Sequence, residues 1–159
     1  MLKFKNPIKL QIVYPDGRIE EEEVLNGVTD EGRQYILDCG LNDGTKIPTW
    51  YVGLISTAGF TAVDDTDTLA SHAGWTEETA YTEATRLEWV PVANGNILSN
   101  SVAISFNFVA EGTLEGILVA SDNTKSGSTG SLWATGVFAS SRVIPAGTAI
   151  NIIYQIEAV

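Results

Sequence analysis

One cysteine, one histidine and nine basic side chains are all that this 159-residue chain offers to several large classes of chemistry. With Cys39 alone, no disulfide can close within one chain. Zinc needs three or four Cys or His ligands, and only Cys39 and His72 are present. Nine Lys and Arg against twenty Asp and Glu leave a net charge of −11. Such a chain repels phosphate backbones, which argues against nucleic acid as a partner. No run approaches the roughly 20 apolar residues of a membrane span, so no membrane contact is expected. The N-terminus carries Lys3, Lys5 and Pro7 and lacks the apolar stretch of a secretory signal. The expected compartment of folding is therefore a cytoplasm. The glycine patterns of nucleotide-binding loops and the Gly-x-Ser-x-Gly elbow are missing as well.

Apolar content is plentiful: 44% of residues are hydrophobic and only 18% charged. That composition belongs to a folded domain, since disorder would need fewer apolar residues at this net charge. The length suits one hydrophobic core. Charge is unevenly spread. Lys3, Lys5, Lys9 and Arg18 crowd the first 18 positions, and Glu20 to Glu23 follow at once. From Trp89 to Val159 the only charged residues are Glu111, Glu115, Asp122, Lys125, Arg142 and Glu157. The rest of that half is Ser, Thr, Ala, Gly and Asn around apolar residues, a surface suited to close packing against other protein.

Hydrophobic periodicity is mostly that of strands. Ile8, Leu10, Ile12 and Tyr14 alternate with polar residues. Pro15-Asp16-Gly17-Arg18 then makes a turn, because Pro presets φ and Gly accepts a positive one. A second strand, about Ile19 to Leu25, returns with four glutamates that cannot enter a core. Residues 1–25 thus read as a β-hairpin arm attached to a domain over residues 26–159. Val28 to Cys39 is the one expected helix. Thr29 or Asp30 caps it, Tyr35 and Ile36 lie on its apolar stripe, and Gly40 stops it. Trp50 to Ile55 is a continuous apolar run, the mark of a strand buried on both faces. Residues 58–83 have no clear period and read as a long ordered loop. Strands follow around Thr85–Trp89, Val102–Phe108, Leu114–Ala120, Leu132–Phe138 and Ile150–Ile156. About eight strands at short spacing with one helix predict an all-β fold, an antiparallel, jelly-roll-like β-sandwich.

Candidate chemistry is sparse. His72 lies near Asp64, Asp65 and Asp67, but the simplest reading is a histidine bonded within its own loop. A Cys39–His72 dyad has no third residue to orient it. Asp64, Asp65 and Asp67 offer hard oxygen ligands, yet without the twelve-residue spacing of a calcium loop. Glu77, Glu78, Glu83 and Glu88 are available as paired carboxylates for glycoside hydrolysis, with Trp75, Tyr81 and Trp89 as sugar platforms. Any acidic β-sandwich supplies such a set by chance. Trp50, Trp75, Trp89 and Trp133 are expected mostly in the core. Asn123 to Gly130 is a flexible hairpin tip. No enzymatic activity, metal or cofactor is expected.

Five stretches carry a resemblance. They are Asn26 to Gly32, Pro48 to Leu54, Ser71-His72-Ala73-Gly74-Trp75-Thr76-Glu77, Tyr81-Thr82-Glu83-Ala84-Thr85-Arg86, and Ser121 to Lys125 running on to Gly130. With them the chain resembles virion structural and tail-fibre-like proteins of tailed bacteriophages, from about Asn26 to the C-terminus. Cement proteins of short-tailed phages are similar in size and strand count. The resemblance implies a non-catalytic particle component on the capsid exterior, made in the host cytoplasm. It would bind the major capsid protein over joints between subunits, as a homo-dimer or homo-trimer. Two other expectations stand beside it: a tail or head-fibre adaptor, and a carbohydrate-binding β-sandwich module. Residues 1–25 fall outside the resemblance, and Lys3, Lys5 and Lys9 are the expected contacts to an acidic shell surface.

Overall fold

A computed structural model describes residues 3–159. It is a sandwich of two antiparallel sheets with a single short helix among the described residues. The first sheet contains β1 (Phe4–Lys5), β2 (Pro7–Val13), β3 (Ile19–Leu25), β8 (Pro91–Asn94), β9 (Ile97–Asn100), β10 (Ile104–Asn107) and β13 (Ala149–Ala158). The second contains β4 (Gly27–Val28), β5 (Trp50–Ser56), β6 (Thr76–Glu78), β7 (Leu87–Trp89), β11 (Gly112–Ala120) and β12 (Leu132–Ile144).

Strand β13 organises the first sheet. It pairs with β1 and β2 along one side and with β9 and β10 along the other. Alternation sends Ile150, Ile152 and Tyr154 inward, where each is fully buried. Beside them Ile8, Leu10 and Ile12 of β2 are buried to the same degree. The N-terminal hairpin is therefore not an appended arm. One of its strands is a central element of the sheet, because its alternating apolar face had to be covered and β13 is its hydrogen-bonding neighbour.

The four glutamates of β3 split by face. Glu21 and Glu23 point to solvent. Glu20 and Glu22 turn toward the other sheet, where Arg142 of β12 forms ion pairs with both. Burial alone would push the Glu20 carboxyl up, but Arg142, the Tyr14 hydroxyl and Arg18 hold it below its usual value. A bulge in β12 makes this possible. Between the pairs Leu114–Arg142 and Gly116–Val137, Phe138 to Ser141 oppose Glu115 alone. The Ala139 N–H released there donates to Glu22 at 2.6 Å.

Strands β5 and β11 are covered on both faces. Val52, Leu54, Ile117 and Val119 enter the main core between the sheets. Ile55, Leu118 and Ala120 point the other way, into a second cluster with Leu69 and Trp75. The loop from Thr57 to Trp75 lies over that outer face, which is why the run at Trp50–Ile55 has no alternation. The region read as unbroken loop also holds β6, and the turn at Asn94-Gly95-Asn96 joins a further hairpin, β8–β9. Both consist of strands of three or four residues, too short to show a period.

Helix α1 (Asp30–Leu41) starts later than Val28, which lies in β4 and pairs with Ala134, but it carries the expected cap, with the Thr29 hydroxyl accepting the Gly32 N–H at 3.1 Å. It runs past Gly40 and ends at Asn42. Its first turn is fastened to the start of β12: Thr29 N–H donates to Trp133 O at 3.1 Å, and Leu132 N–H donates to Glu31 at 2.7 Å. Gly32 is the consequence. A Cβ there would stand 2.4 Å from the Trp133 carbonyl oxygen. Gly→Ala inside a helix ordinarily gains about 1 kcal/mol. Gly32→Ala is expected to do the reverse and cost about 1–3 kcal/mol, because backbone must shift to make room. Urea unfolding reads the sign directly, and a stabilised variant would contradict the close approach.

Candidate functional site

Most residues singled out in the sequence hold the fold together. His72 stacks on Trp75, with ring centroids 3.7 Å apart, and its Nδ1 meets the Trp75 carbonyl at 3.1 Å. Trp75 donates its indole N–H to Asp67 at 2.9 Å. Asp64 accepts from Thr66, and Asp65 pairs with Arg33 on the helix. The three carboxylates thus serve three different places and do not converge. Among the described residues no group of three His, Cys, Asp or Glu side chains is arranged to hold a metal ion. Cys39 lies beside the Thr45 carbonyl. No helix among the described residues is long and apolar enough to cross a membrane.

The carboxylates at residues 77–88 are likewise dispersed. Glu77 grips Arg86 through both oxygens, at 3.0 and 2.9 Å. Both side chains are 2% exposed. Arg86 also donates to the carbonyls of Asp122 and Gly127, so one ion pair locks the loop before β7 to the Asn123–Gly130 loop. That tip is consequently anchored. Glu78 accepts from Ala80 and Thr113, Glu83 from Asn107, and Glu88 faces solvent on β7. Lys125 donates to the Thr79 and Tyr81 carbonyls and lies over the Tyr81 ring at 3.6 Å.

A different place gathers exposed chemistry. At one end the inner faces of the two sheets part, and the core opens as a groove of about 380 Å³. Trp50 of β5, Trp89 of β7 and Trp133 of β12 line it, with Tyr35 and Ile36 of α1. The rings contact edge to face: Tyr35 with Trp50 at 5.2 Å, Trp50 with Trp133 at 6.1 Å, and Trp89 with Tyr154 at 5.1 Å. Tyr154 ties the floor together. Its hydroxyl accepts the Trp133 indole N–H at 2.7 Å and its carbonyl accepts that of Trp89 at 3.1 Å. Burial pushes the Tyr154 phenol well above its ordinary range, so it stays neutral. Tyr35 accepts the Ile47 N–H at 2.9 Å, and burial raises its phenol too, leaving the O–H proton in place as a donor. Three tryptophans are buried as expected, and Trp50 is only partly buried.

A second groove, of about 500 Å³, adjoins the first and shares Phe4 and Ile36 with it. Lys3, Asn6, Asn26 and Leu37 also line it.

The cations sort sharply. Lys9 lies 3.9 Å from Glu23, and Arg18, Arg33, Arg86 and Arg142 are all ion-paired. Lys125 is held as described. Lys3, Lys5 and Lys46 make no ion pair among the described residues. Lys3 lines the second groove and Lys46 the first. Lys5 stands on β1 opposite Glu157, and register places it on the same outward side of the sheet as Lys9. Of the three lysines expected to make contacts, Lys3 and Lys5 make no ion pair among the described residues and Lys9 does. Lys46 was not anticipated, because nothing local to Thr45-Lys46-Ile47 marks it. Only its neighbours across the groove do.

A flatter apolar strip lies at the far edge of the first sheet. Val90, Val92 and Val102 are each more than half exposed, within a stretch from Trp89 to Ala110 that holds no charge. No family model, curated protein or solved structure matches the chain.

Proposed function

We propose that this chain is a non-catalytic structural protein of a bacteriophage particle. It attaches to the outside of the capsid, contacts the major capsid protein and cements neighbouring subunits. What carries the docking part is the end of the sandwich at α1 and β1. There, a tryptophan-lined groove opens beside the main core. Of the cations that make no ion pair among the described residues, Lys46 lies on its wall and Lys3 on the wall of the adjoining groove. Buried-capable aromatics flanked by charge are the features of an interface anchor. Acidic side chains of the partner would meet these lysines, and the rest of this molecule, at net charge −11, would repel an acidic surface and so confine the contact to this end. The phage setting rests on the five resembling stretches. Capsid attachment needs many weak copies acting together on a symmetric shell. Copies meet one another through the apolar strip at Val90, Val92 and Val102, where Glu88 is the one charged neighbour.

Imaging of purified particles tests this. The expected result is hundreds of copies at icosahedral positions, with the α1–β1 end toward the shell and the valine strip between copies. Lys3→Glu/Lys5→Glu is expected to lower occupancy on the order of tenfold, and more at low salt. A handful of copies at one vertex would make it a tail or head-fibre adaptor. Absence from particles combined with sugar binding would make it a carbohydrate module.

A further inference from the structure

The sheet edges are not protected alike. An edge strand presents unpaired N–H and C=O groups, which proteins ordinarily blunt with charge, brevity or cover. In the second sheet β4, β6 and β7 are only two or three residues long. The open side of β10 is covered: the Thr82 N–H donates to the Asn107 carbonyl at 2.7 Å, and the Asn107 N–H donates to Glu83 at 3.2 Å. At one end of the first sheet, β3 carries Glu20 to Glu23. At the other end stands β8, whose four residues are all exposed, in a stretch from Trp89 to Ala110 without charge.

The hairpin fixes which groups of β8 face out. Gly95, at φ 61°, and Asn96 form a two-residue turn between the paired Asn94 and Ile97. The hydrogen bond that closes the turn makes Asn94–Ile97 a bonded pair. By alternation Val92 is bonded to Ser99 as well, and Ala93 turns its N–H and C=O to the open edge. One residue thus offers a donor and an acceptor side by side, which a copy of itself can satisfy about a two-fold axis.

Resting on the copy-to-copy contact proposed above, we infer that β8 of one copy pairs antiparallel with β8 of a second, about a two-fold axis at Ala93. Each Ala93 N–H donates to the Ala93 carbonyl of the other copy. Pro91 has no N–H to give, but this register sets it against Gly95 of the other copy, where the ladder ends at the turn. The two Val92 side chains become diagonal neighbours on one face of the joined sheet. A ladder this short holds a free peptide poorly, because the peptide must be ordered to form it. A second β8 is already ordered by its own β9. At net charge −11 copies repel one another, and the uncharged edge is where that repulsion opposes them least. Since glutamates guard β3 at the far end of the sheet, pairing closes at two copies and does not propagate.

The probe is the full chain at rising concentration. Light scattering is expected to show monomer giving way to dimer and to nothing larger. Amide hydrogen exchange followed by NMR reads the edge itself. The Val92 and Asn94 amides are expected to be slow at every concentration, while Ala93 slows on the order of tenfold only as dimer forms. Ala93→Pro removes the outward donor and leaves the bonds to β9 in place, which retained protection of Val92 and Asn94 checks. It is expected to weaken dimerisation on the order of tenfold. A chain that stays monomeric, a dimer in which Ala93 exchanges fast, or an Ala93→Pro variant that dimerises as tightly as its parent would each overturn the edge pairing. Oligomers that grow past two copies would overturn the two-fold closure. A dimer with fast Ala93 exchange that Val92→Lys dissociates removes the edge ladder and leaves copies meeting face to face at the valine strip. Edge-paired dimers that are absent from particles keep this inference and remove the capsid function.

Discussion

Deletion of residues 1–25 is expected to abolish cooperative folding. The segment carries Ile8, Leu10, Ile12 and Tyr14, all buried in the main core. Losing one buried Ile or Leu side chain to Ala costs about 2–5 kcal/mol, and domains of this kind hold only about 5–15 kcal/mol in total. Removing three, together with the ladder that covers one side of β13, exceeds that margin. Circular dichroism and urea titration are the measurements. A cooperative transition in the truncated chain would show that the hairpin is dispensable after all. Ile8→Ala gives a graded version, with an expected loss of about 2–5 kcal/mol. One practical consequence follows for attachment. Truncation unfolds the domain, so the role of the N-terminal lysines is read only by charge reversal, which leaves β2 intact.

Arg86→Met is expected to cost about 3–5 kcal/mol, the cost of stranding a buried carboxylate. Glu77 would keep the Ser126 N–H as a donor but lose both guanidinium contacts. The carbonyls of Asp122 and Gly127 would lose theirs too, so the loop at 121–131 should become the first site of limited proteolysis. The double variant Glu77→Leu/Arg86→Met is expected to recover much of the loss, since replacing both members of a buried pair with apolar groups is often close to neutral. A cost below about 1 kcal/mol for Arg86→Met would place this pair with exposed ion pairs, which contribute little.

These contacts explain what the most specific-looking sequence stretches are for. Trp75 of the Ser-His-Ala-Gly-Trp segment binds Asp67, and Arg86 of the Glu-Ala-Thr-Arg segment binds Glu77. Both are devices for holding long loops against a sheet. Their residue types suggested chemistry because buried polar networks and active sites draw on the same side chains. The pairing partners, eight and nine positions away, distinguish the two uses only once the chain is folded.

Periodicity and turn chemistry were enough to determine an all-β sandwich with one helix. They were also enough for the Thr29 cap, the double-sided burial of Trp50–Ile55 and the inward face of Ile150, Ile152 and Tyr154. Each of these is local, a repeat of two or a cap within four residues. What the tertiary structure alone decided is non-local. Hydrophobic alternation in β2 is the same whether its partner is a solvated hairpin or the C-terminal strand, so only the pairing with β13 made residues 1–25 part of the core. Four consecutive glutamates look alike in sequence, and only Arg142, some 120 positions away, turned two of them into a seam between the sheets. The open mouth is the extreme case. Its walls come from α1, from β5, β7 and β12 of one sheet and from β1, β8, β9 and β13 of the other, and its one lysine is Lys46. A groove is a property of surfaces that fail to meet, and no single segment carries it.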